Sequence, residues 1–392
     1  MKETVSYVLV TPYTVAKSRT GGVVSRLLAQ SDLELVGAQM IAADDKLASE
    51  YARAIASYPY SNSIPLLADY VEHNVGPYGG RKHRSLLLLF KGDDPCGKLT
   101  RICGHMYAEH MGIESFTGET IRDTYADLIT DPNDPTKVTY FEPAVFTPRI
   151  QEAADDHLVV FSKFLKGQPN IVENISYPDP SRIERTLVIL KPDNWRYASS
   201  KPGTIIDMFS RTGLRIVGIK VHRFSLAQAL EFYGSVETTL KEKLAPVFGK
   251  RARELLEKEF DMHLSDKTAK ILVENFGEEC AYGQFVQIVE FMSGMRPDQM
   301  CDPVKPDNVK CMLLIYEGED AVRKIRDVLG PTDPLKAPGG TIRREFGSNV
   351  MVNTAHASDS VENAKREMDI IKIHENSLES IINEYLSSIK RY

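Results

Sequence analysis

Residues 353–360 read Asn353-Thr354-Ala355-His356-Ala357-Ser358-Asp359-Ser360, and Glu367 follows eleven positions after the histidine. His356 falls at the end of a short strand-like run, and the polar turn behind it opens a helix. Glu367 then lies two to three turns along that helix, where it can face back toward the ring. A neutral imidazole is a good nucleophile near neutral pH, and a carboxylate on its other nitrogen fixes tautomer and orientation. Taken alone, a histidine near a helix start is more often structural, so the neighbouring sequence has to decide.

Other candidate chemistries are weaker. Gly92-Asp93-Asp94-Pro95-Cys96-Gly97-Lys98-Leu99 follows an apolar run at 85–90 and nearly spells a phosphate-binding P-loop. Leu99, however, stands where the Mg²⁺-binding hydroxyl belongs, and Thr100 comes one residue late. His105 and His110 lack carboxyl or thiol companions at metal spacing. The five cysteines (Cys96, Cys103, Cys280, Cys301, Cys311) form no Cys-x-x-Cys pair. No protein-held metal is expected, and the thiols read as reduced, which suits a cytoplasmic protein. Arg81-Lys82-His83-Arg84 is too short to signal nucleic acid and reads as a solvated loop.

Composition bounds the partners. The 392 residues carry 48 basic and 54 acidic side chains, a net charge of −6, with 42% hydrophobic residues. That apolar fraction excludes a largely disordered chain. The acidic balance gives no global attraction to nucleic acid or anionic lipid, so any bound phosphate needs a few placed cations. No apolar run approaches the ~20 residues that span a bilayer, and the first residues lack a signal-peptide pattern.

The elements that must position these residues repeat. Val8-Leu9-Val10-Thr11-Pro12 is similar to Val188-Ile189-Leu190-Lys191-Pro192, and Phe90-Lys91-Gly92-Asp93-Asp94 to Tyr316-Glu317-Gly318-Glu319-Asp320. Thr120-Ile121-Arg122 recurs as Thr341-Ile342-Arg343. The blocks keep their order while their separation drifts, as in a duplicated domain with insertions. The domains are read as 1–167 and 182–392, joined by a proline-bearing linker at 168–181. Insertions are placed at about 237–275 and 295–308, and an amphipathic helix at 377–389. In the second half, strands are predicted at 186–191, 214–224, 310–316 and 349–355, with helices at 203–211, 319–329 and 360–373 and another opened by Ser225 as N-cap. That order suits an α+β fold: a ferredoxin-like, split βαβ, four-stranded antiparallel sheet with helices on one face, present twice in tandem.

Three further blocks share the half that holds His356: Arg182 through Asp193, Gly330-Pro331-Thr332-Asp333-Pro334 and Pro338-Gly339-Gly340-Thr341-Ile342-Arg343. Together with Asn-x-x-His-x-Ser-Asp-Ser, they resemble the nucleoside diphosphate kinase family over about 182–373, apart from the insertions. The resemblance implies that His356 takes the γ-phosphoryl group of ATP or another nucleoside triphosphate and passes it to a nucleoside diphosphate. It makes Glu367 and Ser358 the orienting pair and Lys191 the contact to the moving phosphate. Arg326 and Arg343 match the phosphate-binding arginines, Thr332 a diphosphate contact and Asn353 a ribose contact. Tyr233 matches a tyrosine near the histidine, and Mg²⁺ is expected to arrive with the nucleotide. Phe285 is the nearest counterpart of the family's base-stacking phenylalanine. Ala357 replaces the family's usual glycine.

The first half keeps the frame without the chemistry. Thr11 stands where Lys191 would be, Phe146 opposite His356, Pro148 opposite Ser358, and Arg122 alone keeps its place, opposite Arg343. His157 falls inside the following helix. The half is read as a degenerate copy. Since the family assembles from single domains, one chain is expected to act as a built-in pseudo-dimer and to form a homo-oligomer. The competing reading is a non-catalytic nucleotide-binding or scaffold protein.

Overall fold

The apolar runs of the first half form strands β1 (Thr4–Val10), β2 (Glu34–Ile41) and β3 (Ser85–Gly92). A hairpin of β4 (Asp127–Asp131) and β5 (Asp134–Glu142) follows, and then the short β6 (Val145–Phe146). The computed structural model describes residues 3–105, 118–173 and 175–390, so His110 lies outside the described residues. β1 is central and antiparallel to both neighbours, giving the order β2-β3-β1-β6. The second half repeats it with β7 (Ile183–Leu190), β8 (Arg215–His222), β9 (Cys311–Glu319) and β10 (Ala355–Ala357), in the order β10-β7-β9-β8. In both sheets the four strands run fourth-first-third-second. This is the ferredoxin-like arrangement, twice.

The described residues divide into two compact units. One comprises Met1–Val221 with Met312–Tyr392 and holds both four-stranded sheets; the other is His222–Cys311. The segments 237–275 and 295–308 both fall in the second unit. There the Leu226–Phe260 helix, opened by a capping box between Ser225 and Gln228, packs against the Glu278–Ser293 helix. Gly277 permits their close approach, since a Cβ there would stand 2.3 Å from the Ala245 carbonyl oxygen.

Within the first unit, one continuous apolar core takes Val8, Val10 and Phe90 from the first sheet and Val188, Leu190 and Tyr316 from the second. The helices Thr20–Ala29 and Lys201–Ser210 join them. They cross at Gly21 and Gly203, where a Cβ on Gly203 would come within 2.3 Å of the Gly21 carbonyl oxygen. The Asp207 carboxylate accepts from the backbone N–H groups of Gly21 and Gly22. The opposite face of the first sheet is covered too, so its helices are not confined to one face. Leu47, Tyr51, Leu158 and Phe161 pack there with Leu378, Ile382 and Leu386 of the C-terminal helix Leu378–Ser388. Tyr385 of that helix donates to Asp155 at 2.7 Å.

The structure departs from the predicted elements in two places. The last strand covers only Ala355–Ala357, because Asn349 accepts from the N–H groups of Met351 and Val352 and turns the chain there. The 168–181 segment also does more than connect: Ile171 bridges Gly218, and the Val172 N–H donates to the Val217 carbonyl at 2.8 Å, extending the sheet past β8. Among the described residues, no helix is long and apolar enough to cross a membrane.

Candidate active site

β10 runs antiparallel to β7 with His356 opposite Ile189. The strand begins abruptly because Thr354, just before it, has φ +77°. A β-branched residue in that region is strained by about 1–3 kcal/mol. The surroundings hold it there: the Thr354 carbonyl accepts from the Lys191 N–H at 3.0 Å and from Asn194 Nδ2 at 2.7 Å. After the strand, Ser360 caps the helix Val361–Ile370 by accepting from the Asn363 N–H at 3.0 Å. That helix places Glu367 against the histidine.

Glu367 Oε2 lies 3.0 Å from His356 Nε2 and accepts from Ser358 Oγ at 2.6 Å. Ser358 and Glu367 are buried, whereas the His356 side chain keeps 23% of its surface exposed. A carboxylate can only accept, so Nε2 carries the proton in the neutral ring and Nδ1 carries the lone pair.

Cations surround the ring's strand. Lys191, at the end of β7, donates from Nζ to Asn353 Oδ1 at 2.7 Å and to the Met351 carbonyl at 3.3 Å. Burial, with the nearby Arg343 charge, pushes the Lys191 ammonium down to about 8. Arg343 donates to the carbonyls of Gly330 and Ala355, each at 2.9 Å, which ties it to the residue before His356. Its own pKa is pushed down to about 10 by burial and then by Arg326. Arg326 is exposed on the helix Ala321–Leu329 and makes no hydrogen bond or ion pair from its side chain among the described residues. Asn353 donates to the carbonyls of Thr332 at 3.0 Å and Val350 at 2.8 Å, so both ends of its amide are engaged by protein groups. The exposed Thr332 thereby joins the same network.

Lys191, Thr332, Arg343, Asn353, His356, Ser358 and Glu367 thus belong to linked contacts in one unit. Tyr233 belongs to the other unit, where it is buried on the Leu226–Phe260 helix with its ring 4.9 Å from Phe232. Phe285 is buried in that unit as well, its ring 6.1 Å from Tyr282. Sequence reasoning missed Asn194 and Thr354. Thr354 stands inside a quoted block and Asn194 one residue past another, but nothing in a residue type announces a positive φ at threonine.

The first half builds the same scaffold around different groups. Arg122 donates to the carbonyls of Gly104 and Val145, the counterparts of Gly330 and Ala355. The Thr11 N–H donates to Ala144 at 3.0 Å, as Lys191 does to Thr354, and Ala144 has φ +61°. Phe146 faces Leu9 across the sheet, as His356 faces Ile189. Where Lys191 would extend, the Thr11 hydroxyl instead donates to Glu142 at 2.7 Å, and Tyr70 donates to the other carboxylate oxygen. A buried carboxyl group and a phenyl ring replace the ammonium and the imidazole. At the matching positions this copy therefore has neither the cation nor the histidine.

Comparison with known proteins agrees with this geometry. The nucleoside diphosphate kinase family model matches residues 184–245 and 301–376, the two stretches that flank most of the second unit. Nucleoside diphosphate kinase from Anaeromyxobacter dehalogenans (strain 2CP-1) is 33% identical over 186 residues, covering 47% of this chain and 86% of that protein. The enzyme of the same name from Erythrobacter litoralis is 32% identical over 187 residues, covering 48% and 91%. The solved NDP kinase from Pyrobaculum aerophilum is 28% identical and covers 48% of this chain and 94% of that one, with a TM-score of 0.33. With the histidine block on its strand, the cations beside it and relatives matched over most of their length, the chain belongs to the nucleoside diphosphate kinase family.

Proposed function

We propose that this chain transfers the γ-phosphoryl group of a nucleoside triphosphate to a nucleoside diphosphate through a phosphohistidine at His356. The observation that carries the reading is the contact of Glu367 with His356 Nε2, buttressed by Ser358. It leaves the Nδ1 lone pair to attack. In the first half-reaction the bond from the γ-phosphorus to the bridging oxygen breaks, an N–P bond forms at Nδ1, and the nucleoside diphosphate leaves. In the second, a terminal oxygen of another diphosphate attacks the phosphorus, and the N–P bond returns its electron pair to the ring. As the ring becomes cationic, the Glu367 carboxylate stabilises it.

Lys191 and Arg343 act on the charge that gathers on the equatorial oxygens, and Arg326 is positioned near Arg343 to add a third cation. The donor set consists of cations and neutral N–H and O–H groups, and among the described residues no cluster of three or more His, Cys, Asp or Glu side chains could hold a metal. That chemistry fits phosphate oxygens directly and fits Mg²⁺ only as an ion already chelated by the nucleotide. When bound, Mg²⁺ neutralises charge on the phosphates.

Incubation with γ-labelled ATP and Mg²⁺ tests the reading. Acid-labile label is expected on the wild-type chain, discharged by GDP and absent from His356→Ala. A wild-type chain that stays unlabelled yet binds nucleotide would instead favour the scaffold reading.

A further inference from the structure

The loop 81–84, read from sequence as a solvated basic stretch, does not simply point into water. Arg84 is partly buried, and its guanidinium donates to the Ile216 carbonyl. With Arg81, Lys82, His83 and Arg215 it lines a cavity of about 630 Å³ inside the first unit. Among the described residues, no Asp or Glu lines that cavity. Arg215 is held in place, stacked 4.5 Å from the Tyr177 ring centre and donating to the Ser176 carbonyl at 3.0 Å. Arg81 and Lys82 have no side-chain hydrogen bond or ion pair among the described residues. The carboxylates of Glu173 and Glu317 are both bound by Arg185, and that of Asp207 accepts from the Gly21 and Gly22 N–H groups. Burial and the neighbouring Arg215 charge push the Arg84 pKa down to about 10. Glu317 offsets part of that charge, but like charges gathered in excess of carboxylates are unfavourable unless an anion joins them.

The other walls mix polar and apolar groups, and the half-buried Ile175, Leu214 and Ile216 supply the apolar part. Its volume lies in the range of roughly 300–1,000 Å³ that accommodates a whole organic ligand. Two features choose the ligand class. Four formal positive charges call for more than one negative charge, which a lone carboxylate does not supply. An inorganic anion, in turn, leaves the apolar wall unused.

We propose that this cavity is a second, non-catalytic site for an organic polyphosphate with a flat apolar body, a nucleoside diphosphate being its simplest form. The phosphates lie against Arg84, Arg215 and Lys82, and the body lies against Ile175, Leu214 and Ile216. The site is separate from His356. In the second sheet β8, which brings Arg215, and β10, which carries His356, are the outermost of the four strands. Three strand spacings separate them, roughly 14 Å.

The test is equilibrium titration of the full chain with ADP and, separately, with pyrophosphate. Two ADP per wild-type chain are expected. One is expected in the Lys82→Glu/Arg215→Glu double variant, which should still be labelled by ATP at His356. Lys82→Glu alone, an exposed loop change that spares the fold, should weaken the second ADP about tenfold. Pyrophosphate is expected to bind the cavity at least tenfold more weakly than ADP, since it lacks the apolar body. A single ADP per wild-type chain that survives both substitutions, or a second ADP indifferent to them, overturns the proposal. Pyrophosphate binding as tightly as ADP overturns the part assigned to the apolar wall. Phosphohistidine formation is read by acid-labile label and cavity binding by ADP stoichiometry, so failure of one proposal is distinct from failure of the other.

Discussion

Glu367 reaches His356 from a helix while Ser358 reaches Glu367 from the end of the strand, so the nucleophile is oriented by two elements rather than one. Glu367→Gln keeps the shape but can offer Nε2 a donor in place of an acceptor, which disfavours the tautomer with its lone pair at Nδ1. Single-turnover labelling should slow by about 10²-fold, the scale of a misplaced reacting group. Lys191 sets a pH limit of a different kind. An ammonium group is charged below its pKa, and burial brings that pKa down to about 8 in the free protein. Since kcat/KM reports free-enzyme groups, its value for ATP should fall as pH rises through about 8. Lys191→Arg, charged throughout, should be slower at neutral pH but lose that falling limb. A profile flat to pH 10 in the wild type would show that Lys191 is not the group titrating.

At the scale of elements, the two halves meet where neither helix tolerates a side chain. Gly203→Val would place a Cβ 2.3 Å from the Gly21 carbonyl oxygen and the Ser25 N–H nitrogen, and the helices would have to part. A loss of about 1–3 kcal/mol is expected from such overpacking, measured as a lower denaturant midpoint. The same level explains what could be read beforehand. The duplication was legible because the two backbones need special conformations at matching places. Asp94 and Asp320 have φ +46° and +53°, and Gly104 and Gly330 both have φ +83°. Constraints of that kind preserve residue types. His356 and Glu367 were legible for a similar reason, because a cap at Ser360 fixes where the helix starts and hence which residue faces the ring. The Gly21–Gly203 crossing was not, since a glycine inside a helix does not say what approaches it. Nor was the site of the last helix: its apolar stripe of Leu378, Ile382 and Leu386 specifies a face to bury but no partner. The partial burial of Arg84 was hidden because a basic run looks the same in water and against a cavity wall.

On the scale of the whole molecule, the question is how many of the two copies act. One chain joins two sheets in a single unit, with the last helix of the second half completing the core of the first. The copies nevertheless differ at the decisive atoms. The second presents a carboxylate-oriented imidazole flanked by Lys191 and Arg343. The first presents Phe146 and a Glu142 carboxyl group held by Thr11 and Tyr70. A net charge of −6 is no obstacle, because the phosphate meets local cations rather than the average surface. Saturating phosphorylation should therefore stop at one acid-labile phosphate per chain, and His356→Ala should reduce it to zero rather than to half. Under the proposed mechanism one histidine serves donor and acceptor in turn, so initial rates at several diphosphate concentrations should give parallel double-reciprocal lines. Converging lines would require both nucleotides bound at once, and two phosphates per chain would require a second nucleophile, against the reading of the first half as a degenerate copy.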